Sequence, residues 1–273
     1  MSEMFGFDAF SPKEIAKRVE SVGVAKTRLS LLSTIMLGVL AGGFIALGAL
    51  LFTLIKSDAT LGFAASQMFG GLAFSLGLIL VVVAGAELFT GNNLLAMAWA
   101  DGKISSTDLL RNWGIVCLAN FVGAAGLALL VFYSGHTAMN DGAIADQYLK
   151  IATAKVSMPF WQAFFKGVLC NILVCMAVWM ALAGRSVVDK VVAIIFPITA
   201  FVAAGFEHSI ANMYFIPMGM LVQASEHVGA SVEAITWLGF FKNLVPVILG
   251  NLVGGSVLVG FVYYIIYLRK KPE

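Results

Sequence analysis

Helix-length apolar runs constrain this chain more than any other feature. A bilayer core takes about 20 apolar residues of helix, and six regions reach that length: 29–55, 59–100, 112–133, 156–184, 191–225 and 243–268. Glu87 interrupts the second, Lys166 lies early in the fourth, and Glu207 and His208 interrupt the fifth. Of 273 residues, 60% are hydrophobic and 12% charged, against about 25% charged in an average soluble domain. A single soluble core does not absorb that much apolar surface, so the chain reads as an all-α integral membrane protein. That disfavours a cytosolic enzyme and a secreted disulfide scaffold. A net charge of +2 points to no nucleic-acid partner. Cys117, Cys170 and Cys175 all lie in apolar runs with no Cys/His cluster of the metal-binding kind, so neither metal nor cofactor is expected.

Six spans put both termini on one side, and the lysine and arginine count chooses it. The N-terminal segment, 101–111, 185–190 and the C-terminus carry twelve such residues, Lys270 and Lys271 among them. The opposite segments carry five: Lys56, Lys150, Lys155, Lys166 and Lys242. Both termini are therefore expected in the cytoplasm. The mixed-charge start lacks the pattern of a cleaved signal, so the first span serves as the uncleaved address. Residues 1–28 are expected to hold a cytoplasmic amphipathic helix, 29–268 the six-span domain, and 269–273 a cytoplasmic tail. Ser11-Pro12-Lys13-Glu14 is a capping box with proline at the first helical position. Ile15, Val19 and Val22 follow on one face, as in a helix lying on the membrane surface.

The two halves echo each other. Gly38-Val39-Leu40 in the first matches Gly167-Val168-Leu169 in the second. Gly85-x-Glu87 with Asn92 matches Gly205-x-Glu207 with Asn212. Asn120-x-x-Gly123 matches Asn251-x-x-Gly254. The offsets in numbering are 129, 120 and 131, and the order is the same in both halves. Three matches in register predict an inverted-topology repeat, about 29–140 and 156–268, because each half holds an odd number of spans. Helices 2 and 5 are then broken near the midplane, where freed backbone is tolerated only if it is buried in protein or lines a cavity. Half-helix N-termini there suit a small anion.

Ionisable groups this deep in apolar spans are functional candidates. For Glu87 and Glu207, with Asn92 and Asn212, the favoured role is support of the breaks, each carboxylate accepting from freed backbone amides. His208 has no matching histidine, since Leu88 holds the equivalent place, and a residue that breaks the symmetry suits the pathway. Thr90 either faces His208 or caps a half-helix. Asn171 and Asn251 either line a pore or bridge helices. Lys155 and Lys166 either draw anions to a vestibule or snorkel to headgroups, the reading favoured for Lys166. Gly38-x-x-x-Gly42 and Gly250-x-x-x-Gly254 predict close helix crossings within the protomer.

The break motif Gly205-Phe206-Glu207-His208-Ser209-Ile210-Ala211-Asn212, with Glu87-Leu88-Phe89-Thr90-Gly91-Asn92, Asn171-x-x-Val174-Cys175, Gly184-Arg185-Ser186 and Pro246-x-x-x-Gly250-Asn251, resembles the formate/nitrite transporter family over essentially the whole chain. The nearest branch is the one that passes formate, with Leu88-Phe89-Thr90-Gly91 and Phe165-Lys166-Gly167 also similar to the nitrite branch. The resemblance implies an aquaporin-like protomer in a homopentamer of the bacterial inner membrane, one pore per protomer. It implies that His208 and Thr90 face each other at the pore centre. Phe74, Leu78, Leu88 and Phe201 would form two apolar constrictions, and Asn171, Asn251 and Lys155 polar pore or vestibule positions. The N-terminal helix would gate conduction with pH. The substrate implied is formate or a similar small anion such as nitrite, acetate or hydrosulfide. A neutral-solute pore should show paired Asn-Pro-Ala breaks, where this chain reads Thr90-Gly91-Asn92 and Ile210-Ala211-Asn212. An intramembrane enzyme using His208 and Ser209 is disfavoured, because adjacent helical residues point about 100° apart.

Overall fold

The computed structural model describes residues 9–225 and 235–269. Lys270 and Lys271 of the orientation count, and residues 1–8 of the N-terminal segment, lie outside the described residues. The described chain is helical, with one isolated bridge between Ala9 and Gly184. In order run α1 (Pro12–Thr27), α2 (Leu31–Lys56), α3 (Phe63–Ile79), α4 (Ala96–Ala100), α5 (Ser106–Tyr133), α6 (Ala143–Val156), α7 (Phe160–Ala183), α8 (Val187–Ala203), α9 (Ser209–Ser225), α10 (Trp237–Leu252) and α11 (Val262–Tyr267). A π-helical stretch Leu80–Gly85 extends α3, a 3-10 turn Gly91–Leu95 leads into α4, and π-helical Val253–Phe261 joins α10 to α11.

Five helical stretches among the described residues are long and apolar enough to cross a membrane: Leu31–Lys56, Phe63–Gly85, Ser106–Tyr133, Phe160–Ala183 and Trp237–Tyr267. The region expected as the fifth of six spans is two 17-residue helices, α8 and α9, on either side of 204–208. Helix α6 was not anticipated: its segment is too polar to read as a span, and it packs on α9.

Local chemistry sets the helix starts. Ser11 and Glu14, Ser105 and Asp108, and Ser186 and Asp189 form capping boxes at α1, α5 and α8. Tight crossings then assemble the bundle. A Cβ on Gly42 would overlap the Asn120 carbonyl, and one on Gly254 would overlap that of Val168. Glycine lets α2 meet α5, and α10 with its π-helical extension meet α7, backbone to backbone. Helix α1 buries Ile15, Ala16 and Val19 against Leu94, Met97, Cys175, Trp179 and Val259, so this face meets protein rather than lipid.

Candidate functional site

Two interruptions in the helices meet in the interior. At the first, Gly85 takes φ +86° and Ala86 is extended. At the second, Gly205 takes φ +70°. Glycine is required at both, since this left-handed region is unfavourable for side chains. The backbone groups freed there are taken up by asparagines. Asn120 accepts from the Phe89 amide at 2.9 Å and donates to the Gly38 and Glu87 carbonyls at 2.7 and 2.8 Å. Asn251 accepts from the Ser209 amide at 3.0 Å and donates to the Gly167 and Glu207 carbonyls at 2.9 and 3.1 Å. The Glu87 amide donates to Leu37 O at 3.2 Å, the Glu207 amide to Lys166 O at 3.3 Å. Asn251 therefore bridges helices rather than projecting into open space.

The two glutamates do something else than expected. Their carboxylates accept from side chains; the amides of Phe89 and Ser209 go to the asparagines, and those of Glu87 and Glu207 to the Leu37 and Lys166 carbonyls. Glu87 takes Lys26 Nζ at 2.8 Å and Asn92 Nδ2 at 2.7 Å; Asn92 also accepts from Lys26 at 2.8 Å and donates to Asn112 at 2.9 Å. Glu207 takes Lys155 Nζ on both oxygens at 2.9 and 3.1 Å, and Asn212 Nδ2 at 2.6 Å. Asn212 donates in turn to Asn243 at 2.7 Å, and Asn243 to Lys155 O at 3.0 Å. Lys155, expected as a vestibule cation, is thus an ion-paired one. Lys26, Asn112 and Asn243 were missed as site residues. The signal was present: Lys26 and Lys155 are offset by 129, Asn112 and Asn243 by 131, the offsets of the repeat itself.

His208 and Thr90 come together between the breaks. His208 Nε2 lies 3.0 Å from Thr90 Oγ1, and both residues are buried. His208 Nδ1 accepts from the Ala211 amide at 3.2 Å, so the ring caps α9. An accepting Nδ1 is unprotonated; in the neutral ring the proton is on Nε2, which donates to Thr90. The threonine hydroxyl keeps its own proton to offer elsewhere. Thr90 is held from behind: its carbonyl accepts from Asn171 Nδ2 at 3.2 Å and from Cys175 Sγ at 3.4 Å. Asn171 also donates to Asn93 and to the Asn251 carbonyl. Cys175 was not among the expected site residues.

Two cavities lie beside this centre, one lined by His208 and the other by Leu88 and Gly91, on either side of Thr90 in sequence. One, of about 570 Å³, is lined by α1 residues and by Leu78, Val81 and Leu88; its charged residues are Lys26 and Glu87. The other, of about 310 Å³, is lined by α6 residues and by Phe74, Phe201 and His208; its charged residues besides the histidine are Lys155, Lys166 and Glu207. The Phe201 ring stacks on His208 with centroids 5.9 Å apart and meets Phe74 edge-on at 5.8 Å. The four apolar residues thus divide, Leu78 and Leu88 to one cavity, Phe74 and Phe201 to the other. Lys166 is among the residues that line the second cavity.

A multi-span helical protein with a buried polar centre and two cavities beside it belongs, as a class, with membrane channels and transporters. The chain is a member of the formate/nitrite transporter family, whose model matches residues 13–265. It is 41% identical to the formate channel FocA of Escherichia coli K12 over 98% of each chain. It is 38% identical to the formate channel FocA of Haemophilus influenzae, covering 92% of this chain and 93% of the relative. Among solved structures it resembles a pentameric formate channel with formate bound: TM-score 0.81, 38% identity, 88% of this chain and 98% of that one.

Proposed function

We propose that the protein is a homopentameric channel of the bacterial inner membrane that passes small monovalent anions, formate foremost, through one pore per protomer. In this reading α8 and α9 complete a sixth crossing, and the α2–α5 and α7–α10 units are inverted repeats with both termini cytoplasmic. The recurrence of the asparagine and lysine–glutamate bonds at offsets of 129, 120 and 131 supports the repeat. The single observation that carries the pore is the buried His208–Thr90 contact, with His208 lining one cavity and Leu88 and Gly91, on either side of Thr90 in sequence, lining the other.

The chemistry follows from the bonds. A bare charge in a dry slit is costly, so the anion needs replacement donors where it loses water. The proton on Thr90 Oγ1 is free to be donated, because the hydroxyl oxygen already accepts from His208. Leu78 and Leu88 on one side, and Phe74 and Phe201 on the other, strip water and reject hydrated cations. A full proton transfer to formate has to begin with proton uptake at His208 Nδ1, which breaks the bond from the Ala211 amide. Transport across the apolar rings is thereby tied to the cap of α9. Asn171, Asn251 and Asn120 position this centre, and no enzymatic step is involved.

The test is formate and nitrite flux into proteoliposomes between about pH 5 and pH 8, the range in which histidine changes charge. Wild type should show saturable formate flux, and His208→Ala should change its pH dependence. A His208→Ala protein matching wild type at every pH would make the histidine structural and move selectivity to the apolar rings.

A further inference from the structure

We infer that Lys166 is the anion-capture residue of the α6-side mouth, and that it makes the two mouths of the pore electrostatically unequal. The inference rests on the reading of the protein as an anion channel. It begins with the charges that line the cavities. On the α1 side the lining holds one cation and one anion, Lys26 and Glu87, joined at 2.8 Å. On the α6 side it holds two cations and one anion. The Lys155 ammonium is spent on Glu207, and its side chain is 13% exposed. Lys166 remains. It is half-buried, and no ion pair or side-chain hydrogen bond reaches it among the described residues. The polar side chain of Gln67 lines the same cavity but does not offset it. Its Oε1 accepts from Lys56 at 2.7 Å and its Nε2 donates to the Ala203 carbonyl at 3.0 Å. The rest of the wall includes Phe52, Met158 and Phe206, apolar surface that lets the field of one charge reach further than in open water.

The repeat supplies an internal control. Carried back by the repeat offset, the counterpart of Lys166 is Leu37, and Leu37 lines the α1-side cavity. The two backbones do the same work: Leu37 O accepts from the Glu87 amide and Lys166 O from the Glu207 amide. An apolar side chain at this place is therefore compatible with the architecture. The lysine adds charge without adding a bond to the scaffold.

A positive cavity with low-dielectric walls concentrates anions and raises their entry rate by about ten-fold or more at low salt. The experiment compares wild type, Lys166→Met and Lys166→Arg, reconstituted and assayed for formate flux over a range of formate concentrations, at about 10 mM and about 1 M ionic strength. Lys166→Met is expected to raise the half-saturating formate concentration about three- to tenfold at low salt, with a much smaller fall in maximal flux. The gap should close at high salt, and Lys166→Arg should restore wild-type behaviour. In planar bilayers with one orientation, the loss should fall on entry from the α6 mouth. An unchanged half-saturation at low salt overturns the inference. So does a loss that salt does not diminish, which would mark a packing role. Wild type without anion flux would overturn the channel reading, and this inference with it. Wild-type flux with an indifferent Lys166→Met overturns this inference alone.

Discussion

The two lysine–glutamate–asparagine nodes are built from the same residue types at matched positions, yet they are not equally strong. Around Glu87, Lys26 divides its bonds between the carboxylate and Asn92, and its side chain is 23% exposed. Around Glu207, Lys155 gives both of its side-chain bonds to the carboxylate, and Asn212 Oδ1 is left without a partner. The helices that bring the lysines differ in the same sense. Helix α6 buries Ile144, Ala145, Tyr148 and Ala152, and the Tyr148 and Tyr214 hydroxyls meet at 2.7 Å. Helix α1 is held by a smaller apolar patch, and it buries a glutamate, Glu20. Two nodes of the same composition can thus hold one lysine-bearing helix firmly and leave the other less firmly held.

The largest effect should come from cutting the nodes. Removing one partner of a buried ion pair leaves an uncompensated charge and costs about 3–5 kcal/mol. Glu207→Ala should lose about that much, because Lys155 then keeps no partner of opposite charge. Glu87→Ala should lose less, since Lys26 retains Asn92 and more water. Thermal unfolding of the purified protein measures the difference. Equal losses would erase the asymmetry between the nodes. Adding Lys155→Met to Glu207→Ala should recover much of the loss, because the pair is then removed whole.

The asparagines sharpen the comparison from the other side, since here the halves look alike. Asn120→Ala and Asn251→Ala each orphan one amide and one carbonyl at a break, and take a second bond from a helical carbonyl, Gly38 or Gly167, that keeps its own helix bond. Each should cost about 2–3 kcal/mol, at about 1–3 kcal/mol per buried group left unsatisfied and with partial relaxation. The two losses should agree to within about 1 kcal/mol. A much smaller loss at one of them would mean that water reaches that break.

These residues also mark how far the sequence could be read. Glycine, glutamate and asparagine stand out inside apolar runs, so both interruptions and the asparagines beside them were visible. The capping serine Ser11 was visible because Glu14 lies three residues away. The partners of the glutamates were not, because Lys26 and Lys155 lie 61 and 52 residues from them, in segments that read as surface. Carrying the repeat offset back from Lys155 leads to Lys26, and it would also have paired α1 with the unanticipated α6. The division of Phe74, Leu78, Leu88 and Phe201 between two cavities depends on helix rotation, which spacing alone did not supply. The bond from Cys175 to the Thr90 carbonyl joins elements 85 residues apart and left no local pattern.

The smallest effect belongs to Glu20, where the α1 half carries a charge and the repeat-equivalent position on α6 is Leu149. Glu20 is 4% exposed; one carboxylate oxygen takes Lys103 and the other has no partner. Burial raises its pKa above the ordinary 4.5, with the Lys103 ammonium pulling the other way. The docked state of α1 therefore holds this proton more tightly than a free chain does. Docking is favoured at acid pH, weakens as pH rises from about the ordinary value through the raised one, and stays weakened above it. Glu20→Gln removes that penalty and should strengthen α1 docking at neutral pH by less than about 1 kcal/mol, as for a partly solvated pair. The readout is hydrogen exchange in α1 relative to α6 in the same sample, which cancels the intrinsic pH dependence of exchange. The variant should protect α1 more than wild type does at pH 7, and the gap should narrow toward pH 5. A variant that instead loosens α1 at pH 7 would show that the Lys103 bond outweighs burial, and that charge fastens this helix as firmly as apolar packing fastens α6.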